Sequence, residues 1–272
     1  MDCGDVLVFQ NGAELKSVPV SLAFDNSAFK WGSSVFTTAL VENGVMPFFK
    51  DHLERLCRGS EWLWKERFSE SRLEKIFLKL SHLKLKGDYI LRFTLFKDSQ
   101  GKTTDLLMIK KLTDFSDGIS LQTKALEQPM NNRPINIKIG CYADRMRGMN
   151  KGSLEPLFID ELGNYLEASY FNVIFKFKNG DLKSPLIQKG ALLGIGISRG
   201  LEGADINFTT IHKSEIYDID CIFLVNSLRG LMETISLDGA GLQTNERELS
   251  RLRKIFDLNK VKSGYKLWQA ES

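Results

Sequence analysis

Six short blocks of this chain hold the residue types that can do chemistry. They are W-G-S-S-V-F-T-T-A at 31–39, D-H-L-E-R-L at 51–56, K-I-G-C-Y at 138–142, D-E-L-G-N-Y-L-E-A-S-Y-F-N-V-I-F at 160–175, G-A-L-L-G-I-G at 190–196 and F-L-V-N-S-L-R-G-L at 223–231. Lys138 lies in the strand-like run INIKI, and a lysine amine can attack a carbonyl carbon and carry protons. Glu167 follows the tight turn Leu162-Gly163-Asn164, which puts it on a short strand held rigidly by a hairpin. Leu192 to Gly196 opens a predicted helix, whose first N–H groups and positive dipole end suit an anion.

Each residue also has a plainer reading. Taken alone, Lys138 would be a strand-end surface lysine, Glu167 an edge-strand charge and Asn172 a turn residue. Arg55 could be half of a helix-surface ion pair with Asp51, four residues before it. His52 reads as a packing or capping residue rather than a base, and His82 and His212 have no sequence partners that point to metal or catalysis. Arg229, near Ser227, reads equally as a solvated charge or a contact for a carboxylate. Trp31, Tyr142 and Tyr170 could be pocket walls or core aromatics. No single motif decides: the chain has no P-loop, no G-x-G-x-x-G after a strand, no H-E-x-x-H and no G-x-S-x-G.

The elements that must position these residues follow from the apolar pattern. VLVFQ, VFTTALV, YILRFTLF and DLLMIKKL alternate with turn signals and predict strands joined by hairpins. Between them, 51–64 and 72–84 carry leucines and an isoleucine at helical spacing, so the first part reads as a sheet with two helices on one face. Polar breaks at 113–118 and 128–134 divide a small N-terminal domain at 1–117 from a larger C-terminal domain at 134–272, with 118–133 as the linker. In the second part strands are predicted at INIKI, PLFID, NVIFKFK, INFTTI and CIFLVN. Helices are predicted over 142–151, after Gly194 and over 245–256, the last in a mostly acid-first, base-last order that suits the helix dipole.

Composition narrows the classes. With 43% hydrophobic and 26% charged residues in 272, the chain is globular and large enough for two cores. A formal net charge of +3 gives no field strong enough to recruit nucleic acid or an anionic membrane. Cys3, Cys57, Cys141 and Cys221 are far apart and form no C-x-x-C pair, so neither a zinc knuckle nor a disulfide framework is expected and a reducing cytoplasm suits them. No bound metal is expected. The N-terminal MDCGDVLVFQNG lacks a basic stretch followed by an apolar one, and no segment approaches the roughly 18 apolar residues of a membrane span.

In their order, the six blocks resemble the class IV (fold type IV) pyridoxal-phosphate family, which includes branched-chain and D-amino-acid aminotransferases and 4-amino-4-deoxychorismate lyase. The resemblance covers nearly the whole chain. Its most specific part is D-x-x-G-x-x-x-E-x-x-x-x-N, matched by Asp160, Gly163, Glu167 and Asn172. It implies an α/β (α+β) fold of two subdomains, a small one of sheet and helices and a larger mixed β domain with helices that carries the lysine and most cofactor contacts. The implied cofactor is pyridoxal 5'-phosphate and the implied assembly a homodimer. Lys138 becomes the Schiff-base lysine, Glu167 the carboxylate that keeps the pyridine nitrogen protonated, and Arg55 a phosphate ligand whose planar fork suits that anion. Asn172, Leu192, Ile195, Gly196 and Ser227 fall at further cofactor positions, and Trp31, Ser33, Arg92 and Arg229 are candidates to meet substrate.

The lysine rests on a spacing argument. Lys138 stands closer to Glu167 than the family lysine does, by about one helical turn of roughly four residues. Loss of one turn from the helix after the lysine keeps both its ends on the same face, and Tyr142 matches the tyrosine of a K-T-x-N-Y pattern. An ungapped count instead puts Arg133 or Pro134 at that position, which would make the protein a noncatalytic relative; Lys151 is a third candidate. Other departures lie nearby. Gly194-Ile195-Gly196-Ile197 stands where the family often has G-I-T-R, Asp25-Asn26 where an acidic-basic pair is usual, and V-F-T-T-A lacks the F-E-T glutamate and is closer to deoxychorismate lyases. The resemblance therefore implies an aminotransferase acting on an amino acid and a keto acid, with a lyase that releases pyruvate and 4-aminobenzoate, or a noncatalytic homologue, as the alternatives.

Overall fold

The computed structural model describes residues 6–15, 23–112, 118–126, 134–142, 154–187 and 191–268. The helix predicted over 142–151, all but its first residue, falls outside them, as do Arg133, Lys151 and Cys3. The chain divides into two compact units. The first comprises 1–114, 137–141 and 260–272, and the second 115–136 and 142–259. This division differs from the expected domains: the segment carrying Lys138 and the C-terminal residues belong with the first unit, and the expected linker 118–133, which carries a strand at Ile119–Ala125, belongs with the second.

In the first unit, β1 (Val6–Gln10), β2 (Ala13–Glu14), β3 (Ser34–Glu42), β4 (Val45–Met46), β5 (Asp88–Lys97) and β6 (Thr103–Lys111) join the two-residue strand Tyr265–Lys266 in one sheet. Its order is Tyr265–Lys266, β4, β3, β5, β6, β1, β2, and every pairing is antiparallel. Three helices accompany it: α1 (Ser27–Trp31), α2 (Phe49–Trp64) and α3 (Glu70–Leu78), the last followed by a 3-10 turn at Lys79–His82. The sheet alternates with period two. Val35, Ala39, Val41, Leu91, Phe93, Leu95, Leu107 and Ile109 point to the face covered by Phe49, Leu53, Leu56, Leu73, Ile76 and Phe77 of α2 and α3. Burying each such side chain contributes about 1.5–3 kcal/mol. Gly59 lets α2 settle on β3: a Cβ there would lie 3.0 Å from Val35 Cβ. Ser69 caps α3 by accepting the Arg72 N–H. At the C-terminal side, Trp268 is buried and its indole N–H donates to Leu85 O at 3.3 Å.

The predicted strand INIKI is not a strand here. It touches β3 through one bridge, Val35 to Ile139, with Phe36 N–H donating to Lys138 O at 3.0 Å and Gly140 N–H to Ser34 O at 2.7 Å. Its alternation survives even so: Ile137 and Ile139 enter the helix-side core, which sends Lys138 the other way.

The second unit holds β7 (Ile119–Ala125), β8 (Leu154–Ile159), β9 (Tyr165–Ala168), β10 (Asn172–Phe177), β11 (Leu182–Pro185), β12 (Asn207–Thr209), β13 (Ile219–Asn226), β14 (Gly230–Leu237) and β15 (Ala240–Gly241). The order is β12, β11, β10, β13, β14, β7, β8, β9, with β15 paired to β14. It is a mixed sheet, since β7 runs parallel to both β14 and β8, and β11 parallel to β12. One side packs Tyr165, Val173, Phe175, Ile222 and Leu224 together. The other packs Ile174, Phe223 and Val225 with Leu249, Leu252 and Phe256 of α5 (Glu246–Lys262), and with Ile197 of α4 (Ile195–Gly200). Strands β7 and β14 carry no signal that the sequence reading used, because ISLQTKA and GLMETISL mix polar and apolar residues on both faces. The C-terminal helix runs six residues beyond its predicted end at Phe256.

Candidate active site

Of the expected residues, Lys138, Arg92 and Arg55 belong to the first unit. Lys138 is half-buried, and its Nζ stands 5.0 Å from the centre of the Phe36 ring. Arg92, on β5, is exposed and holds its guanidinium 3.9 Å from the same centre. Arg55 is half-buried on α2, three residues after His52 and so on a neighbouring part of the helix surface.

His52, also on α2, is a buried histidine. It is 1% exposed, and its Nδ1 lies 2.5 Å from the hydroxyl of Thr37, itself fully buried on β3. Its Nε2 has no hydrogen-bond partner. Burial first, then the charges of Arg55 and Lys138, hold the imidazole well below its usual pKa, so it is neutral. Arg55 and Lys138, distant in sequence, thus both act on one buried side chain. Sequence reasoning passed over this pair; V-F-T-T-A and D-H-L-E-R-L held its two members, but nothing in the sequence pairs a strand threonine with a helix histidine.

In the second unit the D-x-x-G-x-x-x-E-x-x-x-x-N block is built as a device for holding a loop. Asp160 accepts the N–H groups of Leu162 and Asn164 at 2.9 and 2.8 Å, and Gly163 takes a φ of +82°, which glycine adopts without strain. This closes the hairpin that carries Glu167 on β9, as expected. Glu167 is 5% exposed, and its Oε2 accepts the Leu192 N–H at 2.9 Å. Asn172 is 3% exposed and opens β10 rather than standing in a turn. Its amide donates to Leu192 O at 2.8 Å and its Oδ1 accepts the Gly194 N–H at 3.0 Å. The carboxylate and the carboxamide therefore grip three consecutive peptide groups just before α4.

That helix begins at Ile195 with Gly194 as its N-cap and no capping side chain, so its first-turn N–H groups are not taken by one. Gly196 is obligatory: a Cβ would lie 2.6 Å from the Asn226 carbonyl carbon and 3.0 Å from Ser227 N. Asn226 shapes the opposing turn. Its Oδ1 accepts the N–H groups of Leu228 and Arg229 at 3.0 and 2.7 Å, and its amide donates to Tyr170 O at 3.1 Å. The backbone of Ser227 lies beside Gly196; Asn226, which shapes the turn, was not singled out from the sequence. Arg229 is half-buried, and burial lowers its pKa.

Trp31 ends α1 and is 73% exposed, with Lys30 Nζ 5.3 Å from its ring centre. Ser33 accepts the Trp64 indole N–H at 3.2 Å. A cavity of about 720 Å³ opens elsewhere in the second unit, between Thr123, Tyr165, Ile216, Leu237 and Leu242, and none of the expected site residues lines it. Among the described residues no cluster of metal-ligating side chains occurs and no helix is long and apolar enough to cross a membrane.

Comparison with known proteins bears on the family and the fold. The family model described as amino-transferase class IV matches residues 34–237. No curated protein matches the chain. Among solved structures, a hypothetical aminotransferase from Mycobacterium tuberculosis in a PLP-bound form superposes with a TM-score of 0.80 at 19% identity, over 95% of this chain and 99% of that one. The branched-chain aminotransferase of the thermophilic archaeon Thermoproteus uzoniensis with norvaline gives 0.82 at 17% identity, over 97% and 100%. A fold IV-transaminase from Curtobacterium pusillum gives 0.78 at 17%, over 92% and 99%. At these identities the likeness establishes the fold, a mixed α/β architecture of two sheets; the family model, spanning most of the chain, establishes that this protein belongs to the class IV aminotransferases, a pyridoxal-phosphate-dependent family.

Proposed function

We propose that this chain transfers an amino group between an amino acid and a keto acid, with Lys138 as its reactive amine. What supports the reading is the class IV family match over residues 34–237, together with the charges of Arg55 and Lys138 both bearing on the buried His52. The donor set fits pyridoxal 5'-phosphate. Within the first unit a half-buried amine and a guanidinium are the groups that an aldehyde and a phosphate require, and within the second a buried carboxylate and a helix start without a capping side chain are those that a pyridine nitrogen and a phosphate require. The close approach of Gly196 to Asn226 and Ser227 leaves backbone where a side chain would otherwise stand.

When bound, pyridoxal phosphate supplies an aldehyde that condenses with amines and a conjugated ring that takes up the electron pair left by a departing α-proton. Lys138 would hold that aldehyde at rest and, once displaced by substrate, would take the α-proton on Nζ and return a proton on the other side of the exchange. Glu167 would keep the ring nitrogen protonated, and its hold on Leu192 N–H fixes the carboxylate's direction. Arg55, the amides of Ile195 and Gly196 and the Ser227 hydroxyl would bind phosphate, with Asn172 setting the approach of the loop. Arg92 and Arg229 are offered to the substrate carboxylate. His52, kept neutral, adds no third positive charge to Arg55 and Lys138. The family resemblance supports a homodimer, and the buried free thiols of Cys57 and Cys221 suit a cytoplasmic location.

The T-T-A block keeps the lyase reading alive. A coupled assay separates the two: keto acid formed only when an acceptor keto acid is present supports transfer, whereas pyruvate released from aminodeoxychorismate without an acceptor supports the lyase. In either case Lys138→Ala should lower the rate by about 10²–10⁴-fold or more. Absence of any pyridoxal phosphate uptake would make the chain a noncatalytic homologue.

A further inference from the structure

The face of the first unit's sheet turned away from α2 and α3 carries Phe36 and Thr38 on β3 and Arg92 and Thr94 on β5. Phe36 occupies a particular place there. Along one edge of β3 its N–H donates to Lys138 O at 3.0 Å. Along the other edge Thr38 pairs with Arg92, which makes Arg92 a diagonal neighbour of Phe36 on the same face. The two cations reach its ring from these two sides, Arg92 at 3.9 Å and Lys138 at 5.0 Å from the centre, both inside the roughly 6 Å range of cation–π attraction. The ring is 4% exposed, so little water competes for it. The negative face of the ring attracts both cations.

We propose that Phe36 is a positioning residue for the reaction: its ring holds the Lys138 amine and the Arg92 guanidinium beside each other, so that the amine is presented in one direction and the guanidinium stands ready for a substrate carboxylate. The ring also favours the charged form of the amine, which makes Lys138 a stronger base than the same lysine over an aliphatic side chain. This rests on Lys138 being the reactive amine. Among the described residues, His52 and Arg55 from α2 are linked electrostatically to Lys138, and the test leaves both untouched.

The test grades the ring's charge without changing its shape. Phe36 is replaced in the full chain by 4-fluorophenylalanine and by 3,4,5-trifluorophenylalanine. The Lys138 amine is then titrated in cofactor-free protein by NMR after ¹³C reductive methylation, its resonance assigned by its loss in Lys138→Arg. The titration midpoint should fall stepwise, by about half a pH unit for the trifluoro ring. Phe36→Met, which keeps volume and loses the ring, should fall at least as far, whereas Phe36→Tyr should stay with the wild type. A midpoint that does not move along the fluorinated series overturns the proposal, as does an equal fall in Phe36→Tyr. Borohydride fixation of the cofactor on a lysine other than Lys138 overturns it through its premise, and a flat series with the cofactor on Lys138 overturns the proposal alone.

Discussion

Asn172 offers the sharpest test of how the second unit's half of the machinery is held. Replacing it by alanine removes the donor to Leu192 O and the acceptor for Gly194 N–H, at 2.8 and 3.0 Å. Each bond is worth about 1 kcal/mol net, and each peptide group left buried without a partner costs about 1–3 kcal/mol. The loss should therefore be about 2 kcal/mol if water reaches the loop and about 4 kcal/mol if it does not. For a chain of this size, 2 kcal/mol corresponds to a fall in Tm of about 4–8 °C. Because Gly194 is the N-cap of α4, affinity for pyridoxal 5'-phosphate should fall as well, by about tenfold for each 1.4 kcal/mol carried to the bound state. Asn172→Asp makes the argument specific. It keeps an acceptor for Gly194 but turns a negative oxygen on Leu192 O close to Glu167, so it should be at least as damaging as alanine despite conserving volume. Thermal unfolding followed by circular dichroism and cofactor titration by absorbance supply the two readouts. An Asn172→Ala protein with unchanged Tm and unchanged cofactor affinity would refute the clamp.

Two further outcomes follow from single residues. Gly196→Ala drives a methyl into the backbone of Asn226 and Ser227, so it should cost about 1–3 kcal/mol and weaken binding of pyridoxal 5'-phosphate more than binding of unphosphorylated pyridoxal, measured side by side by fluorescence titration. His52 has its folded pKa depressed below the unfolded value of 6.5, so the unfolded chain takes up the extra proton and stability falls as pH drops below about 6.5 toward the folded pKa. Urea unfolding at pH 6.5 and 5.5 should show this residue contributing about 1 kcal/mol to that loss, and His52→Asn should remove the contribution; equal pH slopes in the two proteins would contradict a neutral buried imidazole.

How much of this was readable before the structure depends on the range of the contacts. The strands of the first sheet and the helices α2 and α3 announce themselves by local alternation and helical spacing. The Asp160-to-Asn172 block is nearly all local as well, since Asp160 and Gly163 close a turn and Glu167 follows on the next strand. What the sequence could not supply are pairings between distant segments. The partners of Glu167 and Asn172 lie beyond β11, at 192–194. The bond from Thr37 to His52 joins a strand to a helix, and the ring of Phe36 gathers cations from two other segments. INIKI shows both sides of the matter: its alternation correctly sends Lys138 away from the core, yet its place beside β3, in a unit otherwise built from the first 114 residues, comes from two backbone hydrogen bonds that no local pattern encodes.

The account turns on which lysine carries the cofactor. Protein loaded with pyridoxal 5'-phosphate, reduced with sodium borohydride and digested, should yield one pyridoxyl-modified peptide, with the added mass on Lys138. A pyridoxyl group on Lys151 or any other lysine, or none after full cofactor exposure, would contradict it.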